Sequence, residues 1–312
     1  MTAATEAPPP VFRLAHVTDP HFRAPRGLPG IRPGELWGKR AVGYLNLTVN
    51  RVRKHKMDLL EDMRVDLRAQ APDHLAVTGD LSTIALTSEW RSALSWLDLS
   101  GVAPDAISVI PGNHDAYVPA VLATREFERL FAPYQTSDLD RDGEAAHYPF
   151  VQIREPLALV GVSSAVATGD LGAWGRIGEA QLARLEAILK APELRGLTRV
   201  VLIHHPPVLH KEGEQRNLRD RAELAAVLAR AGAELVLHGH DHADQRAELP
   251  GPDGRPIPII GAGSASYAGG PERRARYSIY EFGEGGSITW VSRVHDEATS
   301  FFREARREVL RP

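Results

Sequence analysis

The chain has 312 residues, 43% hydrophobic and 25% charged, the values of a folded globular protein, which exclude collagen-like, coiled-coil and disordered readings. A net charge of −3 gives no overall attraction to nucleic acid or membrane. There is no cysteine, which removes disulfide scaffolds, thiol nucleophiles and cysteine-ligated zinc or iron–sulfur sites.

Residues 1–10 read as a flexible, proline-rich leader without the basic and apolar regions of a signal peptide. No apolar run approaches the roughly 18–20 residues that span a bilayer, so a cytoplasmic protein is expected. Residues 12–18 form an apolar run ending in Asp19, the pattern of a buried strand that delivers polar residues at its tip. The pattern recurs. Residues 74–78 end in Gly79-Asp80, and 106–111 in Gly112-Asn113-His114-Asp115; 200–203 end in His204-His205, and 235–237 in His238-Gly239-His240-Asp241-His242. Helical periodicity fills the intervals 57–70, 87–99, 119–131, 178–190 and 219–231. Strands alternating with helices predict βα units and a largely parallel sheet.

Two stretches break the alternation: 147–164 and 244–296 read as successive strands, the second half of a two-sheet core. Phe301 and Phe302 among charges predict a terminal helix over 297–312. The expected organisation is a single domain over 11–296 with an insertion at 22–56. That insertion holds nine Lys/Arg against Glu35, a local charge of +8 that leaves −11 for the remainder. Trp37, Tyr44 and several Leu and Val are interleaved. It reads either as a substrate-recognition lid touching an acyl chain or the inner membrane face, or as a helix packed on the core with solvated charges. Lys39, Arg40, Tyr44 and Asn46 are its candidate substrate contacts. The −11 balance elsewhere disfavours nucleic acid, whose backbone needs a continuous basic track. Oligomeric state has no signal in the sequence.

Ligands of open α/β sheets bind outside the carboxyl ends of the strands. The five polar tips present Asp19, His21, Asp80, Asn113, His204, His240 and His242. Carboxylate, amide and imidazole donors together suit Mn, Fe, Co or Zn. Seven donors are too many for one tetrahedral ion and suffice for two if one carboxylate bridges. Asp115 and Asp241 read either as groups orienting ligand imidazoles or as solvated turn carboxylates.

In their order, Asp19-x-His21, Gly79-Asp80, Gly112-Asn113-His114-Asp115, His204 and Gly239-His240-x-His242 resemble the calcineurin-like metallophosphoesterase superfamily. The resemblance covers 11–242. It implies an α/β fold, a four-layer α/β/β/α sandwich, with two transition-metal ions: one held by Asp19, His21, Asp80 and His242, the other by Asp80 as bridge, Asn113, His204 and His240. It places His114 over the substrate phosphate as the catalytic imidazole, and His205 beside the ligands or facing substrate. Two such ions generate a bridging hydroxide near neutral pH, the expected nucleophile. The motifs depart from protein Ser/Thr phosphatases, which carry Gly-Asp-x-x-Asp-Arg-Gly and Gly-Asn-His-Glu, and from purple acid phosphatases, whose tyrosine ligand is replaced by Thr83. They are most similar to bacterial phosphodiesterases and to the UDP-2,3-diacylglucosamine pyrophosphatases. The expected function is hydrolysis of a phosphodiester or pyrophosphate, a nucleotide- or lipid-linked substrate being left open. The alternatives are a phosphomonoesterase or nuclease of the same superfamily, a lipid- or membrane-surface-binding protein dominated by 22–56, and a non-catalytic scaffold.

Overall fold

The computed structural model describes residues 9–23, 40, 43, 54–139, 147–169, 172–209 and 215–312. Most of the 22–56 insertion lies outside them. So do Lys39, Tyr44 and Asn46.

Among the described residues twelve strands form two six-stranded mixed sheets. The first has the order β12-β11-β10-β1-β2-β3 and contains β1 (Phe12–Val17), β2 (His74–Thr78), β3 (Ile107–Ile110), β10 (Arg276–Phe282), β11 (Ile288–Asp296) and β12 (Phe301–Arg311). The second has the order β4-β5-β6-β7-β9-β8, with β4 (Phe150–Arg154), β5 (Leu157–Gly161), β6 (Thr198–Leu202), β7 (Leu235–His238), β8 (Gln245–Pro250) and β9 (Pro256–Gly261). β1, β2 and β3 run parallel, as do β5, β6, β7 and β9. The crossovers are α1 (Met57–Gln70), α2 (Thr87–Asp98), α5 (Glu179–Leu189) and α6 (Arg221–Ala231).

Period-two alternation sets the layers. Leu14, Ala76 and Ile110 face Leu159, Leu202, Leu237 and Ile260 across the gap between the sheets, with Trp290 and Phe150 filling it. Their neighbours Ala15, Val17, Val77 and Val109 point the other way, onto Leu60, Met63, Leu67 and Trp90 of α1 and α2. Val160, Val201 and Val236 meet Leu185, Leu224 and Leu228 of α5 and α6 on the far side. Each fully buried side chain of this kind contributes about 1.5–3 kcal/mol. The result is the four-layer α/β/β/α sandwich expected from the motif order.

The sheet interface also carries polar pairs. His16 Nε2 lies 2.8 Å from Thr78 Oγ1, and His74 Nε2 2.8 Å from Ser108 Oγ, which in turn donates to Gln152 Oε1 on the opposite sheet. Burial, with neighbouring His238, pushes His16 down to about 3, and burial does the same to His74. Both are therefore neutral hydrogen-bonding groups.

Two expected elements differ. The C-terminal segment is a strand, not a helix: β12 pairs antiparallel with β11 from Phe301↔Asp296 to Arg311↔Ile288. Phe302 is buried and Phe301 exposed, an alternation that the dense charges conceal in the sequence. β11 pairs with β12 along nine positions, with register shifts at Ile288/Thr289 and Ser292/Arg293, and such pairing overrides local propensity. The expected helix over 119–131 is two short ones, α3 (Pro119–Thr124) and α4 (Glu126–Leu130), because Arg125 between them has φ 49° and breaks the hydrogen-bond ladder. Among the described residues no helix is long and apolar enough to cross a membrane.

Candidate metal centre

The five polar tips lie at the carboxyl ends of β1, β2, β3, β6 and β7, three from one sheet and two from the other. Main-chain bonds zip them together beyond the last regular pair. Asp19 N donates to Gly79 O at 3.1 Å, His21 N to Asp80 O at 3.0 Å and Gly239 N to His204 O at 3.1 Å. Asp19, His21, Asp80, His240 and His242 all have φ between 46° and 72°. Left-handed backbone at a residue with a Cβ costs about 1 kcal/mol or more, so these donors are held in place by the surrounding packing rather than by local preference. Gly239 has a steric role: a Cβ there would stand 2.0 Å from Thr18 Oγ1 and 2.5 Å from Asp19 Oδ2. Gly79, at φ 89°, would meet Gly112 N at 2.6 Å and His204 Nδ1 at 2.7 Å.

The seven expected donors converge in two groups. In the first, His242 Nε2 is 3.1 Å from Asp19 Oδ1 and from His21 Nε2, and His21 Nε2 is 3.9 Å from both Asp19 Oδ1 and Asp80 Oδ2. In the second, Asn113 Oδ1 lies 2.9 Å from His240 Nδ1 and 3.2 Å from His204 Nε2, while Asp80 Oδ1 is 3.4 Å from His204 Nε2. Asp80 thus turns one oxygen toward each group. His204 Nδ1 lies 2.7 Å from Thr78 O and His21 Nδ1 3.3 Å from Ser82 O. A carbonyl only accepts, so the proton is on Nδ1 and the neutral ring keeps a lone pair on Nε2.

The donor set fits cations. Asp19 and Asp80 are buried, and among the described residues their ion pairs are with histidines and none is with Lys or Arg. Burial, then the charges of Asp19 and Asp115, push the Asp80 carboxyl well above the usual range. Burial also pushes Asp19 up, but His242, His204 and Thr18 outweigh it and hold that carboxyl well below. Burial and His204 drive His240 well below the usual imidazole range. Buried carboxylates that face imidazoles, with no Lys or Arg paired to them among the described residues, are what two divalent ions would satisfy.

The neighbouring candidates divide. His114 donates its main-chain N–H to Asp80 Oδ1 at 2.7 Å, and its Nδ1 meets Thr83 O at 2.5 Å. Its ring stacks on Tyr117. Asp115 does not orient an imidazole: its carboxylate accepts from the N–H groups of Leu81, Ser82 and Gly112, from Ser82 Oγ and from Trp90 Nε1. It ties the turn after Asp80 to the turn before Asn113. Asp241 accepts from Gln245 Nε2 at 3.1 Å. His205 is beside the second group, but its Nε2–H donates to Ala173 O at 3.2 Å, so its Nδ1 accepts from Ser164 Oγ at 2.7 Å. Burial and the adjacent His240 and His204 hold it neutral. Arg40, from the insertion, donates to the carbonyls of Ile84 and Ala85 in the loop after Asp80.

That loop is held by Glu89, whose Oε2 accepts from the N–H groups of Thr83, Ile84 and Leu86 at 3.0–3.2 Å. Burial pushes its carboxyl up to about 7 despite those donors. The folded protein therefore keeps this proton between the usual 4.5 and about 7, where the unfolded chain has lost it. The stability it contributes is full below 4.5 and disappears as pH rises through 7, a change on the order of 3 kcal/mol. Urea unfolding of chelator-treated protein should show Glu89→Gln gaining on the parent by that amount between pH 5 and pH 8. A pH-independent difference would contradict the assignment.

A cavity of about 270 Å³ opens on the centre, lined by Asp80, Asn113, His114, Ala173, Arg216, His240 and His242. Arg216 belongs to no motif. Its wall is the ladder in which Ala173 N bonds Gln215 O and Gly175 N bonds Asn217 O. A larger cavity of about 770 Å³, near Val11, Thr198 and Phe282, lies at the opposite ends of the strands and contains no candidate ligand.

The chain matches the calcineurin-like phosphoesterase family over residues 12–244. Among solved structures it is similar to a dimetal phosphatase from Danio rerio, with TM-score 0.61 and 15% identity over 97% of this chain and 99% of that one. It is also similar to a purple acid phosphatase from yellow lupin (Lupinus luteus) seeds, with TM-score 0.56 and 12% identity, covering 94% of this chain and 52% of that one. These likenesses are of fold. No curated protein matches the sequence.

Proposed function

The chain belongs to the calcineurin-like phosphoesterase family and is a phosphoester hydrolase, and from that premise we propose that it cleaves a phosphodiester or pyrophosphate bond at a dinuclear centre. The observation that carries the reading is Asp80, with one oxygen toward Asp19, His21 and His242 and the other toward His204 beside Asn113 and His240. In this reading Asp19, His21, Asp80 and His242 hold one ion, and Asp80, Asn113, His204 and His240 the other. Imidazole, carboxylate and amide donors suit Mn, Fe, Co or Zn. When bound, two close cations activate water near neutral pH and offset charge building on the phosphoryl group.

The protein's own groups supply the rest. Thr83 O fixes one proton on His114 Nδ1, so the ring, when it carries a second proton on Nε2, donates that one to a phosphoryl or leaving-group oxygen. Arg216, exposed at the rim of the same cavity, supports a substrate with negative charge beyond the scissile phosphate. That favours a pyrophosphate or nucleotide-linked diester over a simple monoester. Most of the candidate lid lies outside the described residues, and neither lipid nor membrane contact is part of the reading. The catalytic unit is taken as 11–311, because β12 completes the first sheet.

A hydrolysis panel on metal-loaded enzyme tests it, comparing bis(p-nitrophenyl) phosphate, p-nitrophenyl phosphate, cyclic nucleotides, glycerophosphodiesters and UDP-linked acyl sugars. The diesters or the pyrophosphate should exceed the monoester in kcat/KM by at least about tenfold, which is 1.4 kcal/mol of differential transition-state binding. A monoester turned over as well as any of them would overturn the bond assignment and leave the family intact.

A further inference from the structure

His55 stands outside every motif, yet the fold carries it to the metal centre. Lys56 N donates to Ser266 O at 2.9 Å and Ala268 N to Lys54 O at 2.6 Å, pairing 54–56 antiparallel with 266–268 and setting His55 opposite Tyr267. The second segment is itself anchored at the first ligand turn, where Ala265 N bonds Thr18 O and Ser264 Oγ donates to Asp19 O. His55 is 5% exposed. Its ring stands edge-on to His21 with centroids 4.7 Å apart and to His242 at 5.6 Å, and Tyr267 packs against it at 5.3 Å.

A nitrogen of His55 lies within 4.8 Å of donor nitrogens of both His21 and His242. The same two histidines form the other cluster with Asp19 and Asp80, so the His21–His242 edge is shared by both groups. Nitrogens bound at adjacent positions of one ion, about 2.1 Å from it, are about 3.0–3.4 Å apart, so binding draws these nitrogens together by up to about 1.8 Å. Proximity alone is not sufficient: His205 is equally near its pair, yet Ala173 O fixes its proton on Nε2 and Ser164 donates to Nδ1, which closes the ring to a metal. His55 Nδ1 instead meets Ser266 Oγ at 2.8 Å, a hydroxyl that can accept the Nδ1 proton and orient Nε2 as a donor.

We propose that His55 is an eighth donor of the dinuclear centre, an imidazole that binds the ion at the His21–His242 edge; the inference rests on the dinuclear reading above. That pocket then offers three imidazoles and two carboxylates, a composition that favours Zn or Co over Mn more strongly than the seven-residue set does.

The test is cobalt and zinc titration of chelator-stripped protein, read by equilibrium dialysis and by the visible absorption of Co²⁺, with circular dichroism checking the fold. The parent should bind two equivalents. His55→Ala and His55→Gln should weaken one of them at least about 10–100-fold and change the Co²⁺ spectrum. In a His240→Ala background, which isolates the first pocket, the single remaining equivalent should show the same loss. Unchanged affinity and spectrum in both His55 variants, with two equivalents in the parent, would overturn this inference alone. Fewer than two equivalents in the parent would overturn the dinuclear reading and this inference with it. If His55→Ala does not fold, His55→Gln and Ser266→Ala carry the measurement, and both behaving as the parent would overturn it.

Discussion

Asp80→Asn is expected to reduce bound metal from two equivalents to one or none and to lower turnover on the order of 10³-fold or more. Among the described residues Asp80 is the carboxylate whose two oxygens face different donor groups, His21 Nε2 at 3.9 Å and His204 Nε2 at 3.4 Å. An amide of the same shape keeps one acceptor oxygen and places an NH₂ against one of the pockets. It also removes the negative charge that would hold two cations close together. Metal-ion charge stabilisation is worth several kcal/mol of transition-state energy, and each 1.36 kcal/mol is a factor of ten in rate. His240→Ala should behave differently, stripping the second ion while leaving Asp19, His21, Asp80 and His242 to hold the first. Elemental analysis beside kcat separates the two variants, and an Asp80→Asn protein that retains both equivalents would refute the bridge. Because burial, Asp19 and Asp115 push the Asp80 carboxyl up, a proton competes with the cations for it. Metal affinity of the parent should therefore fall as pH is lowered.

The sequence made the ligand positions legible because two periodicities agree there. Runs such as residues 235–238 are buried along their length, so the polar residues that follow emerge at a strand tip by geometry. What it concealed was set by contacts distant in the chain. β12 carries Arg303, Glu304, Arg306, Arg307 and Glu308, a helix-like composition, and becomes a strand because β11 pairs with it and Arg246, Arg303 and Arg307 find acidic partners. His55 reaches the centre through pairing with a segment some 211 residues away, a separation no local pattern reports. Asp115 lies in the most recognisable motif, and its position within it says nothing of its partners. Five hydrogen bonds to 81–82, Trp90 and Gly112 show a residue that sets the spacing of two ligand turns. Arg216 sits in a loop after His204 with no spacing to mark it, and the fold brings it to the cavity over the centre.

His114→Ala is expected to keep both metal equivalents and still lose about 10²–10⁴ in kcat, the range for a positioned proton donor. The side chain meets the ligand set through its ring packing on His21. Its hydrogen bond to Asp80 Oδ1 comes from the main chain and survives truncation. The imidazole is fixed on one side by Thr83 O and on one face by Tyr117, and it lines the cavity where a phosphoryl group would enter. A group so held loses little entropy on acting, which is the advantage of a preorganised donor. Leaving-group dependence distinguishes its two available roles. As a general acid it should matter more for an alkoxide leaving group than for p-nitrophenolate, which departs without a proton. As a charge stabiliser of the phosphoryl oxygens it should matter equally for both. Activity within twofold of the parent on both substrates would remove His114 from the mechanism.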